Sequence, residues 1–137
     1  PTLGFSIKSQ LGSPSTLLNA GKTTNFIFKI SNQKLSESDI EKINLIDSRS
    51  KVMDRLNCVL QSKGQFDFVK TERQLFSNNL ILIDSRLPEI LSGIVLEFFS
   101  SENSKIVDLV SEITLKNPLN FDDTNKHKFY EYKIACW

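Results

Sequence analysis

Apolar and polar residues alternate from Leu3 to Leu11, with Leu3, Phe5 and Ile7 on one side and Gly4, Ser6, Lys8 and Gln10 on the other. A period of two is that of a β-strand, so one face can enter a core while the other meets solvent or a ligand. On the polar face Ser6, Lys8 and Gln10 follow one another at about 7 Å, twice the strand rise. Gly12-Ser13-Pro14-Ser15 reads as a turn, and Ser15–Gly21 as a short helical turn or compact loop closed by Gly21. Thr23–Ile30 predicts a second strand whose Phe26, Phe28 and Ile30 share a face. The short link suits two neighbouring strands of one sheet.

From Ser36 the period becomes helical. Ser36 fits an N-cap for a helix running to Ile46, with Glu37 and Asp39 where the helix dipole favours acids and Ile40, Ile43 and Ile46 as its apolar stripe. Ser50–Lys63 predicts another, with Val52, Leu56, Val59 and Leu60 on one side and Gly64 as its stop. Phe66-Asp67-Phe68-Val69 alternates like a short strand, and Thr71–Ser77 and Asn79–Ile83 follow as weaker segments. Leu87–Ser100 carries the widest apolar band, Ile90, Leu91, Ile94, Val95 and Phe98. Asp84 or Ser85 precedes it, Pro88 sits in its first turn, and Gly93 marks a close contact. Ser104–Leu115 repeats the pattern, Asn117-Pro118-Leu119-Asn120 stops it, and Lys126–Trp137 reads as a last helix. Leu-Ile-Asp-Ser-Arg occurs at 45–49 and again at 82–86, but the flanks do not match, so it is read as coincidence and not as a duplicated unit. The expected fold class is α+β, with strands in front and a helical bundle behind.

The length of 137 residues holds one domain or domain fragment with a real core. Both ends look cut, since the chain starts inside a strand and stops at Cys136-Trp137 with no polar tail. Seventeen Lys and Arg against sixteen Asp and Glu leave a net charge of +1, so any surface for nucleic acid must be local. Cys58, Cys136 and the single His127 make neither a disulfide framework nor a zinc set; two reduced, partly buried thiols in a cytoplasmic protein are expected. No apolar run reaches membrane-spanning length and no signal peptide opens the chain. There is no Gly-rich phosphate loop, HExxH, G-x-S-x-G or CxxC. His127 sits in a basic Asn-Lys-His-Lys stretch and reads as a surface residue.

Lys8 remains as candidate chemistry. One reading makes its strand an edge whose lysine guards against edge pairing. The other makes Ser6-Ile7-Lys8 part of a phosphodiesterase site. There a carboxylate and a lysine two apart face the same way, the metal lowers the pKa of bound water, and the lysine orients that water and offsets charge at phosphorus.

The ordered segments Gly4-Phe5-Ser6-Ile7-Lys8-Ser9, Leu11 to Ala20 and Thr24-Asn25-Phe26 resemble the core of the HpaII-type restriction endonucleases. Asn79-Leu80, Asp84 to Leu91, Asn117-Pro118-Leu119 and Phe129 to Ile134 continue the resemblance through nearly the whole chain. It implies the PD-(D/E)xK nuclease fold, with nuclease-core strands and an active-site loop in 1–31 and mainly helix in 36–137. It also implies cleavage of double-stranded DNA at CCGG with Mg²⁺. Carried over, Lys8 takes the lysine position and Ser6 stands where many relatives have Asp or Glu, with Gln10 next along the face. Serine ligates metal poorly, so an acidic ligand is expected upstream of Pro1, with Glu37 and Asp39 as the nearby alternatives, and the fragment is expected to be inactive alone. Ser13, Ser15, Thr16, Asn19 and Lys22 are the expected DNA contacts, Lys29 is a further phosphate contact, and Arg49, Arg55, Arg73 and Arg86 are candidate guanine readers. The oligomeric state stays open, a homodimer being one alternative. The competing reading is a non-catalytic helical module that binds DNA or protein.

Overall fold

A computed structural model describes residue 21 and residues 23–101, 105–121 and 130–131. Its elements run β1 (Phe26–Ser31), α1 (Glu37–Asn44), α2 (Lys51–Gln61), β2 (Gln65–Thr71), α3 (Gln74–Ile83), α4 (Leu87–Ser100) and α5 (Ile106–Lys116). The class is α+β. The expected strand over Leu3–Leu11 and the expected helix over Lys126–Trp137 lie outside the described residues, apart from helical Tyr130 and Glu131.

β1 and β2 form an antiparallel pair in which Phe28 faces Phe68, Lys29 faces Asp67 and Ile30 faces Phe66. The alternation of the sequence decides which side is covered: Phe26, Phe28, Phe66 and Phe68 are half-buried, while Ile27, Lys29, Gln65 and Asp67 are exposed. On the covered side the rings meet edge to face, with centroids 6.0 Å apart for Phe26–Phe68 and 6.2 Å for Phe28–Phe68, the arrangement that ring quadrupoles favour. The partner of β1 jumps from Lys70 to Phe68 between Ile27 and Phe28. Val69 is therefore the extra residue of a bulge.

α1 begins where its cap predicts. The Ser36 side chain accepts from the Asp39 N–H at 3.2 Å, and Asp39 Oδ2 accepts from the Ser36 N–H at 3.1 Å, a reciprocal box that satisfies two orphan donors. α1 nevertheless buries none of its residues. At the end of α2 the left-handed position is taken by Lys63 (φ 65°), not by Gly64. Gly64 is needed for closeness instead: a Cβ there would lie 2.7 Å from Val59 Cγ1 and 3.0 Å from the Val59 carbonyl oxygen.

α4 packs against α2, α3, α5 and β2. It supplies Leu87, Ile90, Leu91 and Ile94 to a core completed by Leu80, Leu109, Val110, Ile113 and Tyr130. Asp84 and Ser85 precede α4 as expected; Arg86 holds the N-cap position without a side-chain cap, and Asp84 Oδ1 accepts from the Arg86 N–H at 2.8 Å. Three expectations need correction. Gly93 makes no unusually close contact, since a Cβ would rest 3.9 Å from Ile113 Cδ1. α5 starts at Ile106 and not at Ser104, and runs to Lys116 before Asn117 ends it in the left-handed region at φ 40°. Cys58 is exposed, not partly buried, one residue and about 100° around α2 from the buried Val59. The two Leu-Ile-Asp-Ser-Arg copies differ in placement: the first follows α1, whereas the second starts inside α3. That agrees with coincidence.

Candidate functional site

Lys8, Ser6, Gln10, Ser13, Ser15, Thr16, Asn19 and Lys22 all lie outside the described residues, as does His127. Several of the other segments that carry the resemblance are described, and they converge on one seam. The aromatic face of the sheet, α4 and the end of α5 enclose a groove of about 610 Å³, with Phe28, Phe66 and Phe68 on one side and Arg86, Glu97 and Lys116 on the other.

Each cation of the groove has its own carboxylate. Arg86 pairs with Glu89 one helical turn along α4, and its guanidinium also lies 5.3 Å from the centroid of the Phe121 ring, a cation–π distance. Lys116 pairs with Glu97, whose side chain is one-tenth exposed. A carboxylate this enclosed needs its counter-charge. Glu89 and Glu97 stand two turns apart on α4, about 12 Å along its axis, too far to share an ion.

The rim beside Lys116 is organised by Asn117. Its Oδ1 accepts from the Phe121 N–H at 3.0 Å and from the Tyr130 hydroxyl at 3.1 Å, while its Nδ2 donates to the Phe121 carbonyl at 2.9 Å. The Tyr130 oxygen in turn accepts from the Leu119 N–H at 3.0 Å. Burial is the main cause pushing the Tyr130 phenol above its ordinary range, opposed by the Leu119 N–H and the nearby Arg86 charge. It stays a proton donor at neutral pH. Asn117-Pro118-Leu119 and Tyr130 belong to the segments that carry the family resemblance, and the bonds between them are not legible in either segment.

The same accounting narrows the other candidates. Asp39 is committed to the cap of α1, where the Ser36 side-chain and backbone hydrogen bonds hold its carboxyl below the usual range. Its carboxylate serves the cap of α1. Arg55 is spent on the α1–α2 loop, reaching the Asn44 carbonyl at 2.7 Å and the Ile46 carbonyl at 2.8 Å, and Arg86 is spent on Glu89 and Phe121. Arg49 and Arg73, by contrast, are exposed. No three His, Cys, Asp or Glu side chains converge among the described residues. The seam is built for holding shape. No helix of the described residues is long and apolar enough to cross a membrane.

The chain is 51% identical over 134 residues to a protein described as type II restriction enzyme HpaII from Haemophilus parainfluenzae, a match covering 98% of this chain and 36% of that protein. The chain thus spans about a third of the length of the relative it matches. No solved structure matches. The family described as HpaII restriction endonuclease matches residues 1–137, and the chain belongs to that family.

Proposed function

We propose that this chain forms part of a type II restriction endonuclease that hydrolyses phosphodiester bonds of double-stranded DNA at CCGG, with Mg²⁺ as cofactor and a PD-(D/E)xK core. The observation that carries the reading is the family match over all 137 residues together with 51% identity to a named type II restriction enzyme. Acting on DNA, the protein works in the cytoplasm. Because the chain spans 36% of that relative, residues 1–137 by themselves are not expected to cut.

In this reading the catalytic face is the polar side of Leu3–Leu11. Lys8 orients the attacking water and offsets the negative charge that grows on the phosphorane oxygens. Ser6 and Gln10, two residues to either side on the same face, hold that water and a phosphate oxygen by hydrogen bonds. Ser13, Ser15, Thr16 and Asn19 place short donors on the loop beyond, and Lys22 neutralises a phosphate. Bound Mg²⁺ would supply charge neutralisation at phosphorus and a more acidic water.

The test is cleavage of a CCGG duplex by the full-length protein in Mg²⁺, wild type against Lys8→Ala. We expect at least a hundredfold loss of rate, about what one general acid–base group supplies, with duplex binding kept. Undiminished cutting by Lys8→Ala removes Lys8 from the mechanism. A full-length protein that shows no CCGG preference in binding or cutting supports the non-catalytic module instead.

A further inference from the structure

The β1–β2 ribbon and the residues that flank its strands carry a charge pattern that the groove does not. Residues 23–34 and 63–73 hold Lys29, Lys34, Lys63, Lys70 and Arg73 against only Asp67 and Glu72, a balance of +3 in a chain of net +1, which leaves the remainder at −2. All five cations are exposed. None is ion-paired among the described residues, in contrast to Lys51, Arg86 and Lys116.

The register places these groups in order. Ile27 opposite Lys70, Lys29 opposite Asp67 and Ser31 opposite Gln65 lie on the side away from the phenylalanines. Asn32 donates to Gln65 Oε1 at 2.7 Å, which leaves both amide hydrogens of Gln65 for an outside acceptor. Lys63 and Arg73 flank the two ends of β2, whose seven residues span about 23 Å at strand rise.

We propose that this outer face enters the major groove of duplex DNA, with Lys63 and Arg73 on phosphates and the Lys29–Asp67 pair on the edges of one G·C pair. It rests on the substrate reading above and deepens it. A major groove about 12 Å wide admits a two-stranded ribbon. Lysine donates to guanine O6 and N7, and a carboxylate accepts from cytosine N4. Asp67 distinguishes base reading from phosphate binding alone: a carboxylate in the middle of a purely phosphate-binding face is repelled, whereas beside cytosine it has a donor to meet.

The experiment measures binding of the full-length protein to CCGG and scrambled duplexes by fluorescence anisotropy over a KCl series, with Ca²⁺ in place of Mg²⁺ and circular dichroism confirming that each variant folds. The double variant Lys63→Gln/Arg73→Gln should weaken binding to both duplexes alike and lower the salt slope by about two. Lys29→Met and Asp67→Asn should each reduce the CCGG preference about tenfold, with Asp67→Asn binding the scrambled duplex no more weakly than wild type. An unchanged salt slope in the double variant overturns the phosphate contacts. An intact CCGG preference in both Lys29→Met and Asp67→Asn overturns the base contact. Wild type without any CCGG preference sinks the substrate reading and the base contact together, and the salt slope then decides the phosphate contacts alone.

Discussion

Tyr130 shows how much one hydroxyl can organise. It is 2% exposed, donates to Asn117 and accepts from the Leu119 N–H, tying the end of α5 to a residue far along the chain. Replacing it by Phe leaves Asn117 and the Leu119 amide short of a partner, and we expect a loss of about 1–3 kcal/mol in urea unfolding at neutral pH. The pH dependence has a definite sign. The folded phenol binds its proton more tightly than the unfolded one, so its contribution is complete below the ordinary value of 10.0 and is lost as pH rises through the raised value. Wild-type stability should therefore fall on alkaline titration above about pH 10 more steeply than that of Tyr130→Phe; equal slopes would contradict the assignment. Arg55 and Arg86 teach the complementary lesson, since two residues that looked free to read guanine are already taken by carbonyls, a carboxylate and a ring.

The α2–β2 junction shows how a helix stop can be right in position and different in cause. A glycine after a helical pattern suggests the left-handed cap, yet Lys63 takes that conformation, and Gly64 lies against Val59. Gly64→Ala should cost about 1–3 kcal/mol, because the Val59 carbonyl is backbone and cannot step aside; thermal unfolding measures it, and a shift of Tm within error would refute the close approach. The cap of α1 and the start and end of α4 follow the sequence closely, since capping and periodicity act within four residues. α5 slips by two residues at its start, where no side-chain cap marks the boundary.

Across the fold, the apolar pattern identifies elements but not their depth. Ile90 is 1% exposed and Ile27 38% exposed, although both stand in apolar stretches. Ile90→Ala should cost about 2–5 kcal/mol by the cavity it leaves among α3, α4 and α5, whereas Ile27→Ala on the outer face should cost under about 1 kcal/mol; comparable losses by urea unfolding would mean the layering is wrong. The strands, the main helices and the family likeness were all readable from residue order, because they depend on neighbours within a turn or on alternation along a strand. The pairing of Phe28 with Phe68, the bond of Asn117 to Tyr130, the Lys116–Glu97 pair and the stacking of Arg86 on Phe121 join residues that local order does not relate. Those contacts exist only once packing brings distant segments together, and they decide which charges are paired within the fold and which remain exposed on it.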